Sequence, residues 1–272
     1  MITIIFAPPR TGKTCFMTHL MNEIAFDRSR NKLMQAEIMD KRVSGFVNLN
    51  TMPLHSCSSN YDIVFHKFGY SPRFSRRINP YRLGFANKFV KTHFNLPYEA
   101  IAITEAQKYL NSRMSMYFPE WQSRWYEQHG HNNLDIFLDT QRPMLIDVNI
   151  RELARFIEIV KLKIYRNNKG AVSKLKWTIR IIDNSSLFDR YMASGKKDRE
   201  CYTEEEVTAD YNVFECYNSQ SCKPKFYDGH TDEDFDYQES EIADDTLDGY
   251  IKYLKEFDDE LPENYYQRRK TN

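Results

Sequence analysis

The sequence predicts an α/β fold built on a mainly parallel sheet flanked by helices, and four observations carry the prediction. An apolar, β-prone stretch from Ile2 to Phe6 runs into Ala7-Pro8-Pro9-Arg10-Thr11-Gly12-Lys13-Thr14. Apolar residues at roughly helical spacing follow it (Cys15, Phe16, Met17, Leu20, Met21, Ile24). Two further short apolar stretches, Ala100 to Thr104 and Asp135 to Thr140, read as buried strands with polar residues at their tips. Finally, Ile157 to Tyr165 and Leu175 to Ile182 alternate around Asn167-Asn168-Lys169-Gly170, the pattern and turn chemistry of a C-terminal β-hairpin.

Residues 7–14 fit a phosphate-binding loop, G-x-x-x-x-G-K-[ST], with one substitution: Ala7 stands at the first glycine. A strand ends, a tight loop offers its backbone N–H groups to a phosphate, and a helix starts near Gly12 with its positive end toward the anion. The cradle comprises Ala7, Pro8, Pro9, Arg10, Thr11, Gly12, Lys13, Thr14 and Cys15. Lys13 supplies a point charge for the β- and γ-phosphates, and Thr14 a hydroxyl for Mg²⁺. A bare Gly-Lys-Thr would carry little weight; the strand before it and the helix after it give it meaning. Pro8 and Pro9 pre-set φ and exclude a helix at those positions. Ala7 is the departure, since alanine tolerates fewer loop conformations than glycine. The class is therefore a P-loop NTPase with ATP and Mg²⁺ as cofactors.

The rest of the chain is ordered around this domain. The loop helix is expected over 12–26, followed by a charged stretch, 27–42, that is helix or loop. Gly45 to Leu49 and Tyr61 to Phe65 read as strands. Residues 69–97 form a basic insertion interrupted by Pro72, Pro80 and Pro97. A helix is expected from Pro119 to about His131 and a short one from Ile150 to Arg155. The P-loop domain spans 1–190, and 191–272 reads as an acidic tail, disordered or loosely helical. The formal net charge is zero, yet residues 1–199 carry about +14 and residues 200–272 about −14. The tail could shield the basic body, dock a partner, or be merely solvated. Five scattered cysteines (Cys15, Cys57, Cys201, Cys216, Cys222) without C-x-x-C spacing argue against a disulfide framework or zinc site and for a reducing cytoplasm. No run of about eighteen apolar residues is present, so no transmembrane helix is expected.

Two strand tips complete the candidate site. Ala100-Ile101-Ala102-Ile103-Thr104-Glu105 resembles the second motif of phosphate-loop enzymes, an apolar strand that usually ends in Asp-Glu. The aspartate position holds Thr104, which can contact a metal-bound water but brings no charge; Glu105 is the candidate to activate the attacking water. A helix-start glutamate favoured by the dipole is the plainer explanation of Glu105. Gln141, at the tip of the Asp135–Thr140 stretch, is the candidate to sense the γ-phosphate; a solvated loop residue is its plainer explanation.

Together with later blocks, these tips resemble the N-terminal domain of the zonula occludens toxin family, which includes assembly ATPases of filamentous phages. The residues that carry the resemblance are Gly12-Lys13-Thr14, Ile103-Thr104-Glu105-Ala106, Tyr126-Glu127-Gln128-His129-Gly130-His131, Leu134-Asp135-Ile136, Thr140-Gln141-Arg142-Pro143 and Asn149-Ile150-Arg151. It covers roughly residues 1–185. It implies an additional-strand P-loop ATPase fold and an oligomeric motor driving phage assembly and extrusion at the host inner membrane, or translocating single-stranded DNA. The chain would then be cytoplasmic or peripheral at the cytoplasmic face of that membrane, with phage or host membrane proteins as partners. Arg151 best matches the family's arginine and is the candidate to act across a subunit boundary, with Arg142 and Arg124 in reserve. Ala7, Thr104 and Gly130 depart from the family's pattern, and so does the acidic tail where many members carry a membrane helix.

Three functions compete. One is the motor ATPase. Another is a nucleotide-binding switch or scaffold that hydrolyses slowly, which Ala7 and Thr104 favour. The third is a small-molecule kinase, disfavoured because no arginine-rich lid follows a G-x-x-G-R turn. The basic insertion, with Arg73, Arg76, Arg77, Arg82, Lys88 and Lys91 interleaved with Phe74, Tyr81, Phe85 and Phe89, could grip single-stranded DNA or be an amphipathic, solvated insertion.

Overall fold

The computed structural model describes residues 1–27, 29–30, 33, 57–65, 73–78, 80, 83, 98–113 and 120–217. Its centre is an eight-stranded sheet in the order β10-β9-β8-β1-β7-β6-β2-β5. The strands are β1 (Ile2–Phe6), β2 (Cys57–Ser59), β5 (Arg76–Arg77), β6 (Ala100–Ile103), β7 (Asp135–Thr140), β8 (Ala154–Arg166), β9 (Val172–Ile182) and β10 (Thr203–Ala209). A separate pair joins β3 (Val64–Phe65) to β4 (Arg73–Phe74). From β8 through β1, β7, β6 and β2 to β5 every pairing is parallel; β9 and β10 are antiparallel. The fold is a mainly parallel α/β sheet flanked by helices, as the sequence predicts. β7 lies between the loop strand β1 and the second-motif strand β6, which is the additional strand that the sequence resemblance implies.

The sheet buries both faces. On one lies α1 (Lys13–Ala25) over Ile5, Ala100, Ala102, Phe137 and Trp177. The small Ala100 and Ala102 let this helix approach β6 closely. On the other face lie α2 (Glu120–Glu127), α3 (Val148–Glu152) and α4 (Ser185–Ala193), over Ile4, Phe6, Ile101, Ile103, Leu138 and Phe156. Phe188 of α4 stacks on Phe156 at 3.9 Å between centroids and meets Phe6 edge-on at 5.6 Å. These contacts brace the strand that leads into the loop.

Several expectations shift at their edges. The short helix is Val148–Glu152 rather than 150–155, because the Asp147 carboxylate caps Asn149 N at 2.9 Å and β8 already pairs with β1 from Ala154. The strand expected over Tyr61–Phe65 narrows to Val64–Phe65. β2 was not expected. Its polar Cys-Ser-Ser is buried because Ser58 donates to the Glu99 carboxylate beside it. The strand expected over Gly45–Leu49 lies outside the described residues, as does most of the basic insertion.

The largest correction concerns residues 191–217, expected within the acidic tail. α4 spans position 190, and β10 then adds a full strand to the sheet. Cys201, Ala209, Val213 and Cys216 are buried. On the underside, the buried Glu158 accepts hydrogen bonds from Tyr191 and Lys196. A chain ending at Ser194 is therefore expected to melt ~10 °C or more below the full chain, given several lost buried side chains at about 1–3 kcal/mol each. Thermal denaturation checks this; an unchanged melting temperature would show that the sheet stands without β10.

Candidate nucleotide site

The tips of β1, β6 and β7 sit side by side at the carboxyl edge of the parallel sheet, where α/β folds place their ligands. β1 continues through Ala7 into the loop. Ala7 is buried and its φ is not positive, so alanine meets no backbone penalty at the first glycine position. The left-handed turns fall instead on Arg10 (φ 62°) and Gly12 (φ 84°). Gly12 is needed twice over, because a Cβ there would also stand 2.7 Å from Leu162 Cδ2 on the hairpin. The Thr11 hydroxyl closes the loop on Pro8 O at 2.7 Å.

Lys13 opens α1. Its side chain is mostly buried, and its ammonium donates to Pro8 O at 3.2 Å, inside the loop. Burial lowers its pKa, and the facing Asp139 and Glu105 carboxylates partly counter that. Cys15 is fully buried in the core beneath α1, and its thiol is pushed up to about 12 by burial, so only its backbone N–H is available to a phosphate.

Thr14, Thr104 and Glu105 meet on a residue that the sequence reading did not single out. Asp139, on β7, is 1% exposed. Its Oδ2 accepts the Thr14 hydroxyl at 2.7 Å and the Thr104 hydroxyl at 2.9 Å, and its Oδ1 accepts Glu105 N–H at 2.9 Å. Burial raises its pKa; these three hydrogen bonds and the Lys13 charge oppose the rise. The signal for it was present: an acid on the inward side of an apolar strand is costly unless it is partnered.

Glu105 has φ 54°, in the left-handed region. A non-glycine residue held there costs about 1–3 kcal/mol and is often part of a functional site. Thr104 is fixed by Asn60, whose amide bonds both Thr104 N and Thr104 O at 2.8 and 3.1 Å. The Glu105 carboxylate accepts Gln107 Nε2 at 2.6 Å and Gln141 Nε2 at 3.4 Å. Glu105 and Gln141, placed in one site by sequence, therefore touch.

Arg151 is not among the groups brought together. Its guanidinium bonds Ile146 O at 3.1 Å and Met144 Sδ at 3.3 Å, and Met144 lines a cavity with Ala7, Pro8 and Gln141. Arg142 is exposed beside Gln141, and Arg124 is exposed on α2. Gly130 is exposed, and a Cβ there would meet nothing within 4 Å, so sterics do not exclude a side chain at that position. Below the loop, a cavity of about 340 Å³ opens between Ala7, Pro8, Gln141, Arg142, Met192 and Lys196.

Among the described residues no cluster of three or more His, Cys, Asp or Glu could hold a metal by itself. The donor set is instead two hydroxyls and one carboxylate beside the 7–14 loop. That suits Mg²⁺, which keeps several waters and leans on substrate phosphates. No helix among the described residues is long and apolar enough to cross a membrane.

The chain is similar to the N-terminal domain of zonular occludens toxin from Neisseria meningitidis, at 19% identity and a TM-score of 0.46, over 80% of this chain and 98% of that one. It is also similar to the genome packaging NTPase B204 from Sulfolobus turreted icosahedral virus 2 in complex with ATP-gammaS, at 10% identity and a TM-score of 0.34, over 68% of this chain and 93% of that one. At such identities the likeness is one of chain course alone. No protein-family model and no curated protein matches the chain.

Proposed function

We propose that this chain is an ATP-binding and ATP-hydrolysing P-loop motor that drives phage assembly and extrusion or the translocation of single-stranded DNA. One observation carries the reading. The loop threonine, Thr104 and the backbone N–H of a strand-end glutamate bond one buried carboxylate at the carboxyl edge of the sheet, close enough for its charge to act on the loop lysine. The loop amides and Lys13 hold the phosphates. Bound Mg²⁺ would neutralise phosphate charge, with Thr14 and Thr104 facing it. A water attacks the γ-phosphorus; Glu105 takes its proton as the new P–O bond forms and the bond to the β–γ bridging oxygen breaks, leaving ADP and phosphate. Gln141, touching Glu105, orients that water. Arg151, which bonds none of these site groups, serves a neighbouring copy in a homo-oligomer. The motor is cytoplasmic and docks at the cytoplasmic face of the host inner membrane through a separate partner.

A second reading, a switch with slow hydrolysis, follows from the uncharged Thr104. Phosphate release measured with and without single-stranded DNA separates the two. A motor acting on DNA gives turnover that the strand stimulates; a switch gives at most slow, strand-independent release. In the same assay Arg151→Ala should lower turnover, and mixing it with an equal amount of Glu105→Gln protein should restore part of it. Full turnover by the Arg151 variant alone would move the trans role to Arg142 or Arg124.

A further inference from the structure

We propose that Asp139 is the positioning acid of this site, doing from β7 what a strand-end aspartate at position 104 would do from β6. It presupposes that the loop binds nucleotide. Ile103 and Leu138 are register partners on the adjacent parallel strands, and Thr104 and Asp139 follow them by one residue each. The acid has moved one strand sideways and kept its depth. The exchange leaves a threonine where the aspartate is usual and an aspartate on the strand where a polar tip would suffice.

The direction of the hydrogen bonds is what matters. A hydroxyl that binds a cation uses an oxygen lone pair, so its proton must point elsewhere. Thr14 directs its proton to Asp139 Oδ2 at 2.7 Å, which leaves its lone pairs available to a cation at the phosphates. Thr104 likewise donates to Asp139 at 2.9 Å and so presents an acceptor to a metal-bound water. The third bond, from Glu105 N–H, fixes the strained backbone of the residue placed to activate water. A single buried carboxylate thus orients the metal-facing hydroxyl, the water-facing hydroxyl and the acid–base residue. An asparagine at 139 would keep the size but offer one acceptor oxygen and no charge.

The test uses the full chain, Mn²⁺ and a non-hydrolysable ATP analogue. Electron paramagnetic resonance reads Mn²⁺ affinity in the ternary complex, and a fluorescent ATP analogue in EDTA reads metal-free nucleotide affinity. Asp139→Asn should lower Mn²⁺ affinity by about 10–100-fold, the scale for losing a group that orients metal ligands, while metal-free nucleotide binding holds or tightens, because a negative charge facing Lys13 is lost. The exchange Thr104→Asp with Asp139→Thr should recover most of the Mn²⁺ affinity, which a merely structural role for Asp139 would not. Parent-like Mn²⁺ affinity in the asparagine variant, or a folded exchange variant that fails to recover it, would overturn the assignment. Should the asparagine variant not fold, the exchange variant decides alone. A parent chain that binds no nucleotide, with or without metal, would instead remove the nucleotide reading itself.

Discussion

Lys13→Ala is expected to weaken ATP binding by about a hundredfold or more and to abolish turnover. The loss of charge-assisted hydrogen bonds to two phosphates, at about 1.5–3 kcal/mol each, sets the scale. The ammonium is already inside the loop, held on Pro8 O, so little reorganisation separates the empty loop from one that grips an anion. Burial makes the lysine costly to keep charged, and Asp139 and Glu105 offset part of that cost. A phosphate would offset more. Removing the amine relieves its own burial but leaves the buried Asp139 carboxylate without its facing charge, so the variant should melt somewhat below the parent while still folding. Titration of a fluorescent ATP analogue, with thermal denaturation alongside, makes the check. Parent-like affinity in the folded variant would sink the phosphate-loop reading.

The elements that a sequence discloses here are those whose burial and spacing are local. β1, the loop and α1 form one contiguous block, and β6, β7 and the β8–β9 hairpin each carry their own apolar pattern or turn. β10 does not. Thr-Glu-Glu-Glu-Val-Thr-Ala reads as a solvated acidic segment, yet it pairs residue for residue with β9 from Ile181 to Leu175. Glu206 meets Lys176 at 2.7 Å and Glu204 meets Arg180 at 3.2 Å across that ladder. Exposed pairs of this kind are worth little individually; what makes the strand is the backbone ladder and the burial of Ala209, neither visible in composition. The charge split between the two halves of the chain is thus partly a cross-strand pairing. In the site, Lys13, Thr14 and Glu105 are legible from motif and strand tip. Asp139 is visible only as an acid on an apolar strand that needs partners; which partners it has depends on which strand lies between β1 and β6, a fact of topology. Ala7, a departure from the motif, sits without backbone strain for a reason only the backbone shows: the left-handed turns fall on Arg10 and Gly12.

Glu105→Gln should leave ATP binding intact and cut hydrolysis by about a hundredfold or more, the scale of a lost general base. The substitution is conservative in shape. Backbone N–H of residue 105 still donates to Asp139, so the left-handed turn is kept, and one side-chain oxygen remains to accept from Gln107 or Gln141. What disappears is the charge and the ability to take a proton from water. Loss of the negative charge facing Lys13 should, if anything, strengthen the hold on a triphosphate, so binding and turnover move in opposite directions. That opposition distinguishes chemistry from damage, since an unfolded or misaligned site would lose both. Gln141→Ala provides the companion measurement: if Gln141 only helps to orient water, its removal should cost less than removal of the base. Phosphate release and nucleotide titration on the same preparations decide the matter. A Glu105→Gln variant that hydrolyses ATP at the parent rate would remove Glu105 from the chemistry and leave its strained backbone without a catalytic explanation.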